Sequence, residues 1–251
     1  MASIVYGINP IAELLKSNRY DVVRIFYARS LTGARIKAVL GLAEKKGISI
    51  IKTDRENLSR IAGTTKHQGI AASCEKTYQY CTLEDIIFAW KNSGENSFFL
   101  ILDHIQDPHN FGALIRTAHL AGVHGIIIPS KRACEITPAV IKASSGAIFH
   151  TRICKTTNIS RIVDYLKGEK IWIAGSVSSG GTSLYSFDGR DNIGLVIGNE
   201  EKGISALVQK KCDFLIRIPM RGRIDALNAS VAGGIILFEV FRQRLPGKEK
   251  I

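Results

Sequence analysis

Cysteine is scarce and unpatterned in this chain. There are five in 251 residues, Cys74, Cys81, Cys134, Cys154 and Cys212, an odd number with no pair at C-x-x-C spacing. That argues against a disulfide framework or a cysteine zinc site and for a reducing compartment. Long hydrophobic runs are missing as well: no stretch approaches the roughly 18 apolar residues of a membrane helix. The opening Met1-Ala2-Ser3-Ile4-Val5 lacks a charged segment leading into an apolar one. A cytoplasmic protein with no membrane partner is the expectation. The histidines His67, His104, His109, His119, His124 and His150 share no metal-ligand spacing, and Glu135 lies on no helix with a paired histidine, so no metal is expected. Neither G-x-G-x-x-G nor G-x-x-x-x-G-K-[ST] occurs, which removes the common dinucleotide and P-loop readings.

Acidic residues are in deficit. Lys and Arg number 34 against 22 Asp and Glu, a net charge of +12 with a pI near 9.6. Such a balance points to a polyanionic partner, nucleic acid first, although it also suits a merely soluble protein. The excess is uneven, with 13 basic against 6 acidic residues in 1–76 and 21 against 16 in the remainder.

A length of 251 residues with 45% hydrophobic content allows one large or two modest domains with a real core. The front reads as a helix over 10–16, a strand over 22–27, a helix over 35–46 ended by Gly47, a strand over 48–51, a short helix near 58–61 and a strand over 69–74. That is a compact α/β unit. Polar residues at 75–80 and an Asn, Ser and Gly-rich stretch at 91–97 divide the chain into a front domain, 1–76, a linker and domain start, 77–97, and a second domain, 98–251. After Asp103 strands and helices alternate: helix 111–121, strand 125–128, helix 138–144, strand 151–154, helix 159–166, strand 170–177, strand 193–197, helix 205–210, strand 214–218 and a long helix 228–244. The predicted class is α/β, with a parallel sheet covered on both faces.

Three segments in the second half each follow a strand-like run. They are Asp107-Pro108-His109-Asn110-Phe111-Gly112 running to Arg116, Gly198-Asn199-Glu200-Glu201-Lys202-Gly203, and Ile218-Pro219-Met220 running to Leu227-Asn228-Ala229-Ser230. Loops leaving the carboxyl ends of parallel strands are where ligands sit, so the three are expected to build one site. Gly198 and Gly203 suit close backbone approach or a positive φ, and equally an ordinary strand-to-helix turn. Asn110 and Asn228 can cap the helices they head, or present amides to a ligand. Arg116 is either a surface arginine or a charge at the site. Glu200 is the available carboxylate, for orientation before proton transfer.

In order and spacing these segments resemble the motifs of the SpoU branch of the knotted, S-adenosylmethionine-dependent RNA 2'-O-methyltransferases. Tyr6-Gly7-Ile8 and His67-Gln68-Gly69-Ile70 resemble that family's ribosomal-protein-like substrate-binding domain. The resemblance implies a C-terminal α/β domain with a trefoil knot, a homodimer, and S-adenosyl-L-methionine bordered by Gly198, Ile218 and Leu227. It puts Asn110 and Arg116 at the reaction centre, with Glu200 and Asn228 completing it. It further implies ribose 2'-O-methylation of a guanosine in 23S rRNA, with a tRNA or resistance-type rRNA ribose as alternatives. A sulfonium donor already carries its electrophile, so the chain's tasks would be positioning and handling one proton. A guanidinium stays protonated in proteins, which makes Arg116 a stabiliser of the developing alkoxide rather than a base. Ala226 departs from the family's Ser-Leu-Asn, leaving Asp225 and Ser230 as neighbours that could substitute and a non-catalytic ribosome-assembly protein as the rival class. In the front domain Arg29, Arg35, Lys37, Lys66 and His67 are expected to contact RNA phosphates; a solvated charged face is the alternative.

Overall fold

The computed structural model describes residues 3–75, 78–223 and 226–246. The expected 76/77 boundary and Asp225 lie outside these. In chain order the elements are β1 (Ser3–Tyr6), α1 (Ile8–Ser17), β2 (Val22–Ala28), α2 (Ala34–Lys45), β3 (Ser49–Thr53), α3 (Arg55–Ala62), β4 (Ile70–Cys74), α4 (Leu83–Lys91), β5 (Phe98–Asp103), α5 (Pro108–Leu120) and β6 (Gly125–Pro129). There follow α6 (Pro138–Ala143), β7 (Ile153–Thr156), α7 (Ile159–Gly168), β8 (Trp172–Ser176), β9 (Thr182–Ser183), β10 (Ile193–Gly198), α8 (Ala206–Lys211), β11 (Phe214–Arg217) and α9 (Ala229–Arg244). Two compact units result: one takes the chain up to Gln79 together with Ile136–His150, the other takes Tyr80–Glu135 and the chain from Thr151 on.

The first unit is a four-stranded sheet in the order β1-β4-β2-β3, in which β4 runs antiparallel to both neighbours and β2 pairs with β3 in parallel. On α1 the spacing of Ile11, Leu14 and Leu15 makes one apolar stripe, and all three are buried. Asp54 caps α3 by accepting from the Asn57 backbone N–H at 2.8 Å. Strand and helix alternation assigned 136–150 to the second half; the structure joins it to this unit. The reason is apolar: α6 packs on β1, the 3-10 turn Ala147–His150 packs on α1, and Val140, Ile141, Ile148 and Phe149 are at most 1% exposed. Phe149 meets Tyr20 edge-on at 5.1 Å, and His150 Nε2 lies 2.9 Å from Glu13 Oε2.

The second unit is a seven-stranded sheet, β7-β6-β5-β10-β8-β11-β9, parallel at every pairing. Its central strands β5 and β10 are buried at all positions, as strands covered on both faces must be. They run in register with Gly198 beside Asp103, so their carboxyl ends finish together. The stretch read as linker contains α4, whose start is fixed by a capping box between Thr82 and Asp85. The edge strand β9 was not anticipated, since two residues carry no periodicity. No helix among the described residues is long and apolar enough to cross a membrane.

Candidate active site

At the carboxyl ends of β8, β10 and β11 lies a cavity of about 410 Å³, within the range of small-molecule sites. Gly198, Glu200, Ile218 and Leu227, from two of the three expected loops, line it. So do residues 176–179, the loop leaving β8, which the sequence reading passed over. Aliphatic residues such as Ile197, Ile204, Ile218 and Leu227 share its wall with polar ones such as Ser178, Asn199 and Gln209.

Gly198 ends β10 in a place where only hydrogen fits: a Cβ would run into the backbone of Gly203 and Ile204. The chain turns back through Gly203 at φ +63°, and Asn199 and Gly203 exchange backbone hydrogen bonds of 3.1 and 2.8 Å. Asn199 pins this turn with its side chain. Its Nδ2 donates to the His104 carbonyl at 3.2 Å and its Oδ1 accepts from the Glu201 N–H at 2.9 Å. Glu200 is thereby held at the tip.

The first helix residue is not where the sequence reading put it. Asp107 caps α5, accepting from the Asn110 N–H at 2.8 Å, and Pro108 takes the first helical position, where its missing donor costs nothing. Asn110 is therefore released from capping. Its Nδ2 donates to Glu200 Oε1, and its Oδ1 accepts from Asn228 Nδ2 at 3.0 Å. Asn228 in turn caps α9, with Oδ1 accepting from the N–H groups of Ser230 and Val231 at 3.0 and 3.3 Å. The expected capping is observed, and its amide is given to Asn110. A hydrogen-bonded series Asn228, Asn110, Glu200 thus ties the three loops together. Arg116 stands six residues further along α5, on its exposed side. Ala226 lines the cavity with a methyl group, and the Ser230 hydroxyl is committed to Asn228 Oδ1 at 2.6 Å.

All five cysteines are free thiols. Burial pushes those of Cys74 and Cys154 up to about 12 and those of Cys81, Cys134 and Cys212 up to about 11, so thiolate is negligible at neutral pH. Among the described residues no group of three or more His, Cys, Asp or Glu side chains is arranged to hold a metal ion.

In the first unit, Arg29 and Lys66 are exposed in the loops after β2 and before β4, and Arg35 and Arg55 are exposed in the first turns of α2 and α3. His67 is not. It is 1% exposed, its Nδ1 accepts from the Gly69 N–H at 2.9 Å, and its Nε2 lies 3.0 Å from the Ser59 hydroxyl. An imidazole with both nitrogens occupied inside the fold shapes the loop and cannot reach RNA.

A model of the SpoU rRNA Methylase family matches residues 97–238, and a model for RNA 2'-O ribose methyltransferase substrate binding matches residues 4–80. The chain is 41% identical over 242 residues to the putative TrmH family tRNA/rRNA methyltransferase YacO of Bacillus subtilis, covering 96% of each. It is 35% identical to the 23S rRNA (guanosine-2'-O-)-methyltransferase RlmB of Coxiella burnetii, with 96% of this chain and 95% of that one covered. Among solved structures, the SpoU methyltransferase AviRb of Streptomyces viridochromogenes in complex with the cofactor AdoMet superposes with a TM-score of 0.78 at 25% identity, over 96% of this chain and 90% of that one. Matches of this extent, on a parallel sheet whose carboxyl-end loops converge on one cavity, establish that the chain belongs to the SpoU rRNA methylase family.

Proposed function

We propose that the chain transfers a methyl group from S-adenosyl-L-methionine to the ribose 2'-hydroxyl of a guanosine in 23S rRNA, acting as a cytoplasmic homodimer whose catalytic domain carries the family's trefoil knot. The observation that carries the reading is the series Asn228, Asn110, Glu200, which fixes three loops beside one cavity of about 410 Å³. That volume, with aliphatic and polar side chains sharing the wall, fits a nucleoside carrying an amino-acid tail. S-adenosylmethionine supplies a methyl group already activated on sulfonium. Gly198 borders it where the turn through Gly203 packs against the end of β10, and Ile218 and Leu227 provide apolar contact. The Arg116 guanidinium stabilises the alkoxide that develops on the ribose. Glu200, held by Asn110, orients the hydroxyl. The raised thiols leave no cysteine suited to a covalent step.

The homodimer is supported by α5 and α9, which pack on each other and leave Leu120, Val231 and Phe238 exposed at 60%, 50% and 44%. Such a surplus of apolar surface suits a second copy. A light-scattering mass near 27.5 kDa at micromolar concentration would defeat it. The Bacillus relative's name puts tRNA beside rRNA as a second substrate reading, and the Coxiella relative's name favours the guanosine of 23S rRNA. Ribose methylations mapped in rRNA and tRNA from cells with and without the protein decide between them. Loss of one 23S guanosine methyl is expected; loss in tRNA moves the substrate there. No lost methyl, together with no heat on titration with adenosylmethionine, would make the chain an RNA-binding assembly protein.

A further inference from the structure

A second cavity, of about 210 Å³, opens at the carboxyl ends of β5, β6 and β7. Its walls bring together His104, Lys131, Asn158 and Ser160, none of which the reading above uses. Asp103, 1% exposed, organises it: one carboxylate oxygen lies 2.6 Å from His104 Nδ1 and the other accepts from the Ser205 N–H at 2.7 Å. A carboxylate only accepts, so Nδ1 carries a proton and Nε2 is left for a further hydrogen bond, on a side chain that is 38% exposed. His104 holds this position with φ +63°, a conformation few side chains other than Asn, Asp and His adopt. Among the described residues no carboxylate pairs with Lys131. An oriented imidazole nitrogen for a hydroxyl, which both donates and accepts, and an uncommitted ammonium for an anion, lining one concavity, match a ribose hydroxyl and a phosphate.

We infer that this cavity is a subsite for a ribose-phosphate unit of the RNA adjoining the methylated nucleotide, with His104 Nε2 hydrogen-bonded to its 2'-hydroxyl and Lys131 contacting its phosphate. The inference rests on the RNA-methyltransferase reading above. Neighbouring strands are about 5 Å apart, and β5 adjoins β10, so the subsite is about a nucleotide's reach from the first cavity. Asp103, 1% exposed in the cavity wall, has one oxygen at His104 Nδ1 and the other on the Ser205 N–H. The hydroxyl contact would let the subsite tell RNA from DNA without reading a base.

The test uses the full chain and a 23S rRNA transcript. Lys131→Met should weaken binding several-fold and lower the slope of log affinity against log salt by about 0.7–0.9, the share of one phosphate. Adenosylmethionine affinity and kcat should stay unchanged while KM rises. For the hydroxyl, transcripts carrying sparse 2'-deoxy substitutions are partitioned by binding. The wild-type protein should show an interference position adjoining the methylated nucleotide, and His104→Gly, which keeps the backbone conformation accessible, should erase it. Thermal unfolding identifies a variant that has lost its fold. An unchanged salt slope in Lys131→Met, or an interference position that survives His104→Gly, overturns the subsite. A wild-type chain that neither binds nor methylates the transcript removes the substrate reading itself, before any variant is compared.

Discussion

Deleting residues 1–79 should not release a well-behaved second unit, because Ile136–His150 would lose the surface it folds on. Val140, Ile141, Ile148 and Phe149 are at most 1% exposed, and α6 and the turn after it pack on β1 and α1. Returning one such side chain to water costs about 1.5–3 kcal/mol, so the four together represent roughly 6–12 kcal/mol, comparable to the whole stability of an ordinary domain. A chain of residues 80–251 is therefore expected to aggregate or to bind a dye for exposed apolar surface. The same truncation with 136–150 replaced by a short Gly and Ser linker should be soluble and should bind adenosylmethionine in a calorimeter with unreduced affinity. The reasoning fails if the unaltered 80–251 chain is monodisperse by light scattering and unfolds cooperatively within a few degrees of the full protein.

Arg116→Ala should slow methylation about 10²-fold, as loss of one oxyanion donor does, with Arg116→Lys recovering part of it; wild-type turnover in either removes Arg116 from the chemistry. Gly198→Ala must displace the backbone of Gly203 and Ile204, so adenosylmethionine binding should be lost or sharply weakened, and calorimetry that finds no change would show the turn to be soft. Burial, aided by Arg55, holds the His67 imidazole below its usual pKa. The unfolded chain therefore takes up a proton first as pH drops: this contribution to stability is complete above about pH 6.5 and is lost as pH falls toward the folded value. Thermal unfolding followed from pH 7.5 to 5 should show a decline that His67→Gln flattens, and an equal decline in that variant would assign it elsewhere. Reversing Arg29, Arg35 and Lys66 to Glu should weaken rRNA binding and reduce its salt slope while leaving adenosylmethionine affinity intact, and an unaltered slope would place the RNA contacts on other residues.

The parallel sheet and the three loops were legible because their signals are local: apolar runs ending in glycine, asparagine or proline, in an order the family shares. Residues 176–179 carried no such mark; Ser and Val in a loop look alike whether or not they wall a cavity. The head of α5 held competing capping candidates, and Pro108, which prefers the first helical position, was the available clue that Asp107 and not Asn110 takes that duty. His67 misled because a histidine in a basic, polar loop reads as exposed, whereas two hydrogen bonds to residues eight and two positions away satisfy it inside. No local pattern could assign Ile136–His150 to the first unit, since the partner surface is more than a hundred residues earlier in the chain.

That discontinuity also sets a clock on synthesis. A unit made of continuous sequence could close as soon as its last residue left the ribosome. This one must wait from Gln79 until His150 has emerged, and at about 5–20 residues per second the delay is roughly 4–14 s. During that interval the faces of β1 and α1 that receive α6 and its following turn stand open to water, while β5 and β6 of the other unit are already being made. Codon choice and chaperone supply across residues 80–150 thus bear on the yield of folded protein more heavily than those across the first seventy-nine.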